Sequence, residues 1–177
     1  MLVMIGASAS GKTEIAKILI KDYNFSKMVT YTTRSIRKDE VNGVDYHFVN
    51  MSEFLKKKKS NDFLETSLYN TNFYGTAFKD TELYKVLIVD PDGANSIYRK
   101  KMKDVVFCYL ITDENVREKR MTLRGDDFND ILRRLELDRK YFTLENLNYI
   151  DFEINTSTLS LEFLTNKIYN LYIKTIK

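Results

Sequence analysis

Gly6-Ala7-Ser8-Ala9-Ser10-Gly11-Lys12-Thr13 is the stretch of this chain with the clearest chemistry. Two glycines bracket four small residues, and a cation and a hydroxyl follow. The spacing fits the Walker A pattern, in which small residues let successive backbone N–H groups converge on one anion. Gly6 and Gly11 permit the backbone conformations this needs. The helix expected from about Lys12 onward points its positive end at the same place. In such a loop Lys12 reaches the β- and γ-phosphates of a nucleoside triphosphate, and the Thr13 hydroxyl ligates Mg²⁺. The competing explanation is a chance match in a strand–turn–helix link. With glycine at about 7% of residues, such a match is on the order of one in a hundred or less. The flanks also oppose it, because a buried apolar run precedes the loop and an amphipathic run follows.

Arg34 and Arg37 form a second group, three apart in a polar stretch among hydroxyls. Arginine forks match phosphate oxygens two at a time. The same two arginines could instead pair with Asp39 and Glu40, and spacing alone leaves both readings open. His47, the one histidine, lies between Tyr46 and Phe48. Strand alternation puts it opposite its neighbours, so it reads as structural or exposed. The run Lys56 to Lys59 reads as a solvated helix face.

The elements that must position these groups follow from periodicity. Leu2 to Ile5 predicts a short buried strand, and Thr13 to Tyr23 a helix with Ile15, Ile18 and Leu19 at helical spacing. Val29 to Thr32 predicts a strand, Asn42-Gly43 a turn, and Val44 to Asn50 an alternating strand. Met51 to Lys59 predicts a helix with Ser52 as N-cap and Phe54 and Leu55 facing in. Phe63 to Thr76 is aromatic and β-like, broken by polar turns. Lys85 to Val89 and Val105 to Ile111 predict buried strands, with Gly93 to Lys103 helical between them. Glu114 to Leu123, Asp130 to Phe142 and Leu159 to Ile176 predict helices, with a short strand at Asp151 to Asn155. Apolar strands alternating with helices predict a parallel sheet covered on both faces. The strands between Val29 and Thr76 break that rhythm and read as a small inserted lobe.

Composition sets the outer bounds. The chain has 177 residues, 44% hydrophobic and 30% charged, which suits one globular domain with a real core. Formal net charge is +3, mild enough to favour anionic small molecules without arguing for nucleic acid. Cys108 is the only cysteine, so no internal disulfide forms and a reducing compartment is expected. The opening apolar run is too short for a signal peptide or a membrane span, which predicts a cytoplasmic protein.

The succession of motifs resembles the guanylate kinase family, whose members move a phosphoryl group from ATP to GMP. After its Walker A loop that family carries S-x-T-T-R-x-P-R-x-G-E-x-x-G-x-D-Y-x-F. This chain has Thr30-Tyr31-Thr32-Thr33-Arg34-Ser35-Ile36-Arg37, then Glu40, Gly43, Asp45-Tyr46 and Phe48. Phe63-Leu64-Glu65 and Asn72-Phe73-Tyr74-Gly75-Thr76 resemble the family's F-[IL]-E and N-Y-Y-G-T stretches. Arg120-Met121-Thr122-Leu123-Arg124-Gly125 resembles its R-L-x-x-R-G lid motif, with Arg133 and Arg134 on the next helix.

The resemblance implies an α/β fold: a P-loop NTPase-type parallel sheet core with helices on both faces, an inserted small mixed-β nucleotide-monophosphate-binding lobe, and a helical lid. The core would take about 1–30, 81–112 and 143–177, the lobe about 31–80 and the lid about 113–142. It implies ATP held by Gly6, Ala7, Ser8, Ala9, Ser10, Gly11, Lys12 and Thr13. Arg34, Arg37, Tyr46 and Tyr74 would hold the acceptor's monophosphate, and Glu65 would read the base, with Thr30 and Thr76 supplying hydroxyls and Asp90 assisting. Lys12, Arg34, Arg120, Arg124 and Arg134 (or Arg133) would neutralise the transferring phosphoryl group. Mg²⁺ would sit on Thr13, with water-mediated help from Asp90 or Asp92. The implied partners are ATP and GMP or dGMP, with no nucleic acid, no membrane, and a monomer or homodimer.

The base assignment has its own chemistry. Guanine offers N1–H and N2–H₂, two donors that suit one carboxylate, whereas adenine offers an acceptor at N1. A buried carboxylate facing the wrong edge loses its partners, a mismatch worth up to about four orders of magnitude. Against this, Glu65 taken by itself reads equally as a surface strand carboxylate.

The chain also departs from the pattern. Family members carry D-x-D-x-Q-G where Val89-Asp90-Pro91-Asp92-Gly93-Ala94 stands here. Aligned on the strand, Asp90 takes the first aspartate; aligned on Gly93-Ala94, it takes the second. The strand register is preferred, because KVLIVD then ends in the same place. Ile36 replaces a proline, and the link from Thr76 to Lys85 is shorter than the family's. That short link keeps open a monophosphate kinase of altered base choice, and a non-catalytic phosphopeptide-binding module is a third reading. The intact Lys12 and Thr13 oppose the module.

Overall fold

Leu2–Gly6 forms β1, and all five residues are buried because it is the central strand of a parallel sheet. The structure, a computed structural model, describes residues 1–77 and 82–176. The sheet order is β2(Ser26–Lys27), β7(Lys85–Val89), β1, β8(Val106–Ile111), β9(Phe152–Asn155), every pairing parallel. Successive side chains of β1 alternate between two separate cores. Leu2 and Met4 pack with Ile15 and Leu19 of α1(Lys12–Asp22) and Leu164 and Ile168 of α6(Leu161–Thr175). Met1, Val3 and Ile5 pack on the opposite face with Ala94 and Ile97 of α3(Pro91–Arg99). Cys108 is buried in the first core as a free thiol, its pKa pushed up by burial.

A second sheet has the order β4(His47–Phe48), β3(Tyr31–Thr32), β6(Asn72–Ala77), β5(Phe63–Tyr69). The β3–β4 pair is parallel and the other two are antiparallel. Here the sequence reading needs correction. The strand expected at Val29 to Thr32 is only Tyr31–Thr32, in the small sheet, and the edge of the large sheet is an unexpected strand ahead of it, Ser26–Lys27. The strand expected at Val44 to Asn50 is only His47–Phe48. Asp45 prevents more, because its carboxylate accepts from the Val41 amide at 2.8 Å and its own amide donates back to the Val41 carbonyl. His47 is half-buried with its ring 4.4 Å from that of Tyr31, in keeping with a structural role.

The helix α2(Met51–Lys59) has the expected span but a different cap. Asn50, not Ser52, accepts from the Glu53 amide at 2.9 Å, and the Glu53 carboxylate accepts from the Asn50 amide at 3.0 Å. That reciprocal box satisfies two of the helix's orphan donors. Phe54 is buried as expected, but Leu55 is exposed, since this short helix offers the small sheet only a narrow stripe. Most of the lysine run is solvated, while Lys57 lies 4.8 Å from the Tyr31 ring.

The helix α3 starts earlier and ends earlier than periodicity predicts, because Asp90 caps it and Pro91 occupies its first turn. Two further helices, α4(Glu114–Leu123) and α5(Phe128–Tyr141), meet through Met121, Ile131 and Leu135 beside the phosphate loop. Asp127 caps α5, which starts two residues before the expected Asp130. The Thr76–Lys85 link falls largely outside the described residues, which omit 78–81.

Candidate active site

The phosphate loop runs from the end of β1 into α1. Gly6 is required there by crowding: a Cβ would lie 2.8 Å from both the Leu110 carbonyl and the Ser10 hydroxyl. Gly11 is required by conformation, with φ at +95° in the left-handed region. The Lys12 ammonium curls back over the loop and donates to the Gly6 and Ala7 carbonyls at 2.6 and 2.7 Å. Burial lowers its pKa to about 8, with Asp138 opposing the shift and Arg117 and Arg124 adding to it. The group therefore stays cationic at neutral pH, ready to exchange carbonyl partners for phosphate oxygens.

A cavity of about 190 Å³ faces the loop. Gly6, Ser8, Ala9, Lys12 and Thr13 form one wall, and Thr30, Arg34, Arg37, Tyr46, Glu65 and Tyr74 form the other. Arg124 and Arg134 close its side, and Asp90 its floor beside Val89. The two cationic groups predicted from separate parts of the chain thus share one space.

Arg34 pairs with Glu40 and also lines the cavity. One of its nitrogens meets both Glu40 oxygens, at 2.7 and 2.9 Å, while its guanidinium lies 5.4 Å from the Tyr46 ring and 5.5 Å from the Phe48 ring. The ion pair fixes the guanidinium and still leaves it on the cavity wall. Arg37 has its pKa lowered by burial and by the nearby charges of Arg34, Arg134 and Arg124. So many like charges around a small space are a standing demand for anions. Burial also pushes the Tyr46 phenol up to about 12, so it remains a donor at any working pH.

Glu65 is 4% exposed, which rules out the surface carboxylate. Among the described residues, neither of its oxygens has a hydrogen-bond partner at normal geometry. A register shift between Phe63 and Glu65, where two β5 residues oppose one on β6, turns this carboxylate toward α3 and the cavity. Gly93 gives it room, since a Cβ there would lie 3.2 Å from Oε2. Burial raises its pKa to about 7; Thr76 opposite offsets part of that and Asp90 adds to it. Asp90 itself is raised by burial, and its Oδ1 accepts from the Gly93 amide at 2.8 Å.

This carboxyl makes stability depend on pH. Its folded pKa of about 7 exceeds the ordinary 4.5, so between those values the folded protein holds the extra proton. The contribution is present at low pH and is lost as pH rises through that window, on the order of 3 kcal/mol in all. Glu65→Gln is expected to melt above the parent at pH 8 and level with it at pH 4.5, as thermal denaturation at the two pH values will show. Parallel melting curves across the range would mean that the carboxylate finds partners without ligand.

On the far side of the loop lies another cavity of about 360 Å³, lined by Ala9 to Glu14, Arg120, Arg124 and Leu161. Lys12, Thr13 and Arg124 belong to both cavities. Arg120 borders only this second one: it donates to the Ala9 carbonyl at 3.1 Å and the Thr156 carbonyl at 2.7 Å, bracing the loop from outside. Arg124 and Arg134 share the Asp126 carboxylate. Of the two candidates on α5, Arg134 lines the cavity, while Arg133 turns out to Asn70 and Asp130.

Two expected groups stand off the cavity wall. Thr76 is buried with its hydroxyl 3.4 Å from that of Thr30, behind the lining. Asp92 is exposed and accepts from the Tyr141 hydroxyl at 2.8 Å. Asp90, at the end of β7, is the aspartate on the cavity. Sequence reasoning missed Ser67, Tyr69 and Phe142, which also line it. Alternation carried the signal for two of them, since Glu65, Ser67 and Tyr69 recur at every second residue of β5.

Comparisons with known proteins bear on the family and the fold. The family model described as guanylate kinase matches residues 1–154. A guanylate kinase of Sulfurimonas denitrificans is 33% identical over 90% of this chain and 81% of that one. One of Campylobacter jejuni is 36% identical over 72% of this chain and 66% of that one. The crystal structure of guanylate kinase from Anaplasma phagocytophilum superimposes with a TM-score of 0.73 at 24% identity, covering 99% of this chain and 85% of that one.

Proposed function

The chain belongs to the guanylate kinase family, and from that premise we propose that its two cavities take ATP and GMP on opposite sides of Lys12. One observation carries the reading: Lys12, Thr13 and Arg124 line both spaces, so phosphates entering from either side meet at the same cations. ATP enters the cavity bordered by Arg120, with its phosphates on the loop amides. GMP enters the other, its phosphate against Arg34, Arg37, Tyr46 and Tyr74 and its base toward Glu65.

The transfer needs positioning more than covalent help. An oxygen of the GMP phosphate attacks the γ-phosphorus of ATP. The bond from that phosphorus to the β–γ bridging oxygen breaks, and ADP leaves with the electron pair. Charge developing on the equatorial and bridging oxygens is met by Lys12, Arg124 and Arg134. Glu65 accepts from guanine N1–H and N2–H₂, which supplies the partners its oxygens lack.

Mg²⁺ fits the donors present. The ion prefers oxygen ligands, keeps several waters, and usually takes only one or two protein groups beside substrate phosphates. The Thr13 hydroxyl would hold it, with the Asp90 carboxylate reaching through water, and it would neutralise β- and γ-phosphate charge. Among the described residues no cluster of three or more His, Cys, Asp or Glu could hold a metal, so the phosphates would complete its shell. Among them, too, no helix is long and apolar enough to cross a membrane.

A coupled assay with ATP, Mg²⁺ and a panel of monophosphates tests the reading. GMP and dGMP are expected to give ADP at rates far above AMP, CMP and UMP. No turnover on GMP refutes the assignment, and a better substrate outside the guanine pair refutes the base reading.

A further inference from the structure

Behind the wall of the acceptor cavity, one carboxylate joins three parts of the fold. Asp138 on α5 accepts from the Ser8 amide of the phosphate loop at 2.8 Å, from the Tyr69 hydroxyl of β5 at 2.6 Å, and from Arg117 of α4 at 2.8 Å. Its side chain is wholly buried, and that of Arg117 is 6% exposed. Ser8 and Tyr69 line the cavity, whereas Asp138 and Arg117 do not. The carboxylate therefore holds two wall residues that come from opposite substrate sides.

Resting on the kinase reading above, we propose that Asp138 is a positioning residue for phosphoryl transfer. It sets the phosphate loop, through Ser8, against the acceptor lobe, through Tyr69. Arg117 is the countercharge buried beside it, 2.8 Å away.

Packing alone does not account for this cluster. The helices α4 and α5 already meet through Met121, Ile131 and Leu135. A buried ion pair is weak evidence for stability, and apolar side chains of similar volume often serve as well or better. This pair is also imperfect, since the Arg117 Nε has no partner among the described residues and Glu114 lies 3.8 Å from its NH2. What the cluster does achieve is geometric. The Ser8 N–H points at α5, which fixes the loop, and Tyr69 is held by the same carboxylate. In-line transfer needs the reacting atoms within about 3.5 Å, and an error of about 1 Å can lower the rate about a hundredfold. Each substrate binds its own half, so only kcat registers the distance between halves.

Steady-state kinetics and thermal melting on the full chain test this. Asp138→Asn is expected to lower kcat about a hundredfold, with each KM within about threefold of the parent. Tyr69→Phe removes one arm only, and is expected to lower kcat about tenfold at an unchanged melting temperature. The double variant Arg117→Met, Asp138→Leu removes the stranded charge; it is expected to restore melting but not kcat. Parent-like kcat in the double variant, or in Tyr69→Phe if the double variant fails to fold, overturns the proposal in favour of a purely structural pair. An inactive parent would instead overturn the kinase reading, so the two failures are distinct.

Discussion

Lys12→Met is expected to lower kcat with ATP and GMP roughly a thousandfold while GMP affinity changes less than about threefold. Methionine keeps the length and the apolar stem of lysine and removes only the charge. That charge is buried, lies on the wall of both cavities, and stays protonated at neutral pH with a pKa of about 8. Its ammonium now rests on the Gly6 and Ala7 carbonyls at 2.6 and 2.7 Å, partners it can exchange for phosphate oxygens. A preorganised cation in a site with little water is worth far more than one in solution, because its orientation is set before charge develops. On the proposed binding mode GMP's phosphate would have its own cations in Arg34 and Arg37, which line the first cavity, so its binding would be spared. Initial rates with a separate GMP titration check both halves. A loss under tenfold would put the neutralising charge on Arg124 and Arg134 instead.

Glu65→Gln is expected to lower kcat/KM for GMP roughly a thousandfold and to leave the rate with AMP unchanged or raised. The parent carboxylate can accept both guanine donors, whereas a glutamine accepts one and turns its own donor toward the other. Among the described residues no hydroxyl or amide is bonded to the Glu65 oxygens. A pH signature accompanies the change. Below its pKa of about 7 the carboxyl carries a proton where guanine also presents one. The parent's kcat/KM for GMP is therefore expected to rise with pH, about tenfold per unit below 7, and to level above it. The variant should lose that limb. Profiles at saturating ATP measure it; an unchanged limb in the variant would move base reading away from this residue.

The fold was legible wherever one period dominated. The runs beginning at Leu2, Val86 and Val105 are apolar throughout, as a strand covered on both faces requires. Short strands were less legible. Ser26–Lys27 has no apolar signature, because an edge strand of two residues is specified by its neighbour β7 and not by its own side chains. The Asp45 turn likewise overrode the alternation from Val44 to Asn50. Local capping was readable in principle, since Asn50 and Glu53 stand at the spacing of a reciprocal box.

For the site, residue types pointed to phosphates and a base, but their partners did not show. The arginines at 34 and 37 had two readings in sequence, and the structure gives Arg34 both an ion pair and a cavity wall. Arg120, Arg124 and Arg134 look alike in sequence, yet one braces the loop and two share Asp126.

By itself the sequence determined the phosphate loop, the order of strands and helices, and the family. Those properties are carried by local spacing, where small residues, periodicity and turn chemistry act within a few positions. Only the tertiary structure decided which charges face each other, that Glu65 is buried with no hydrogen-bond partner among the described residues, and that Asp138 joins Ser8 to Tyr69. The Ser8 and Asp138 partners lie 130 residues apart in the chain. Burial and charge act through space, so their consequences for pKa and geometry exist only once the sheets and helices have packed.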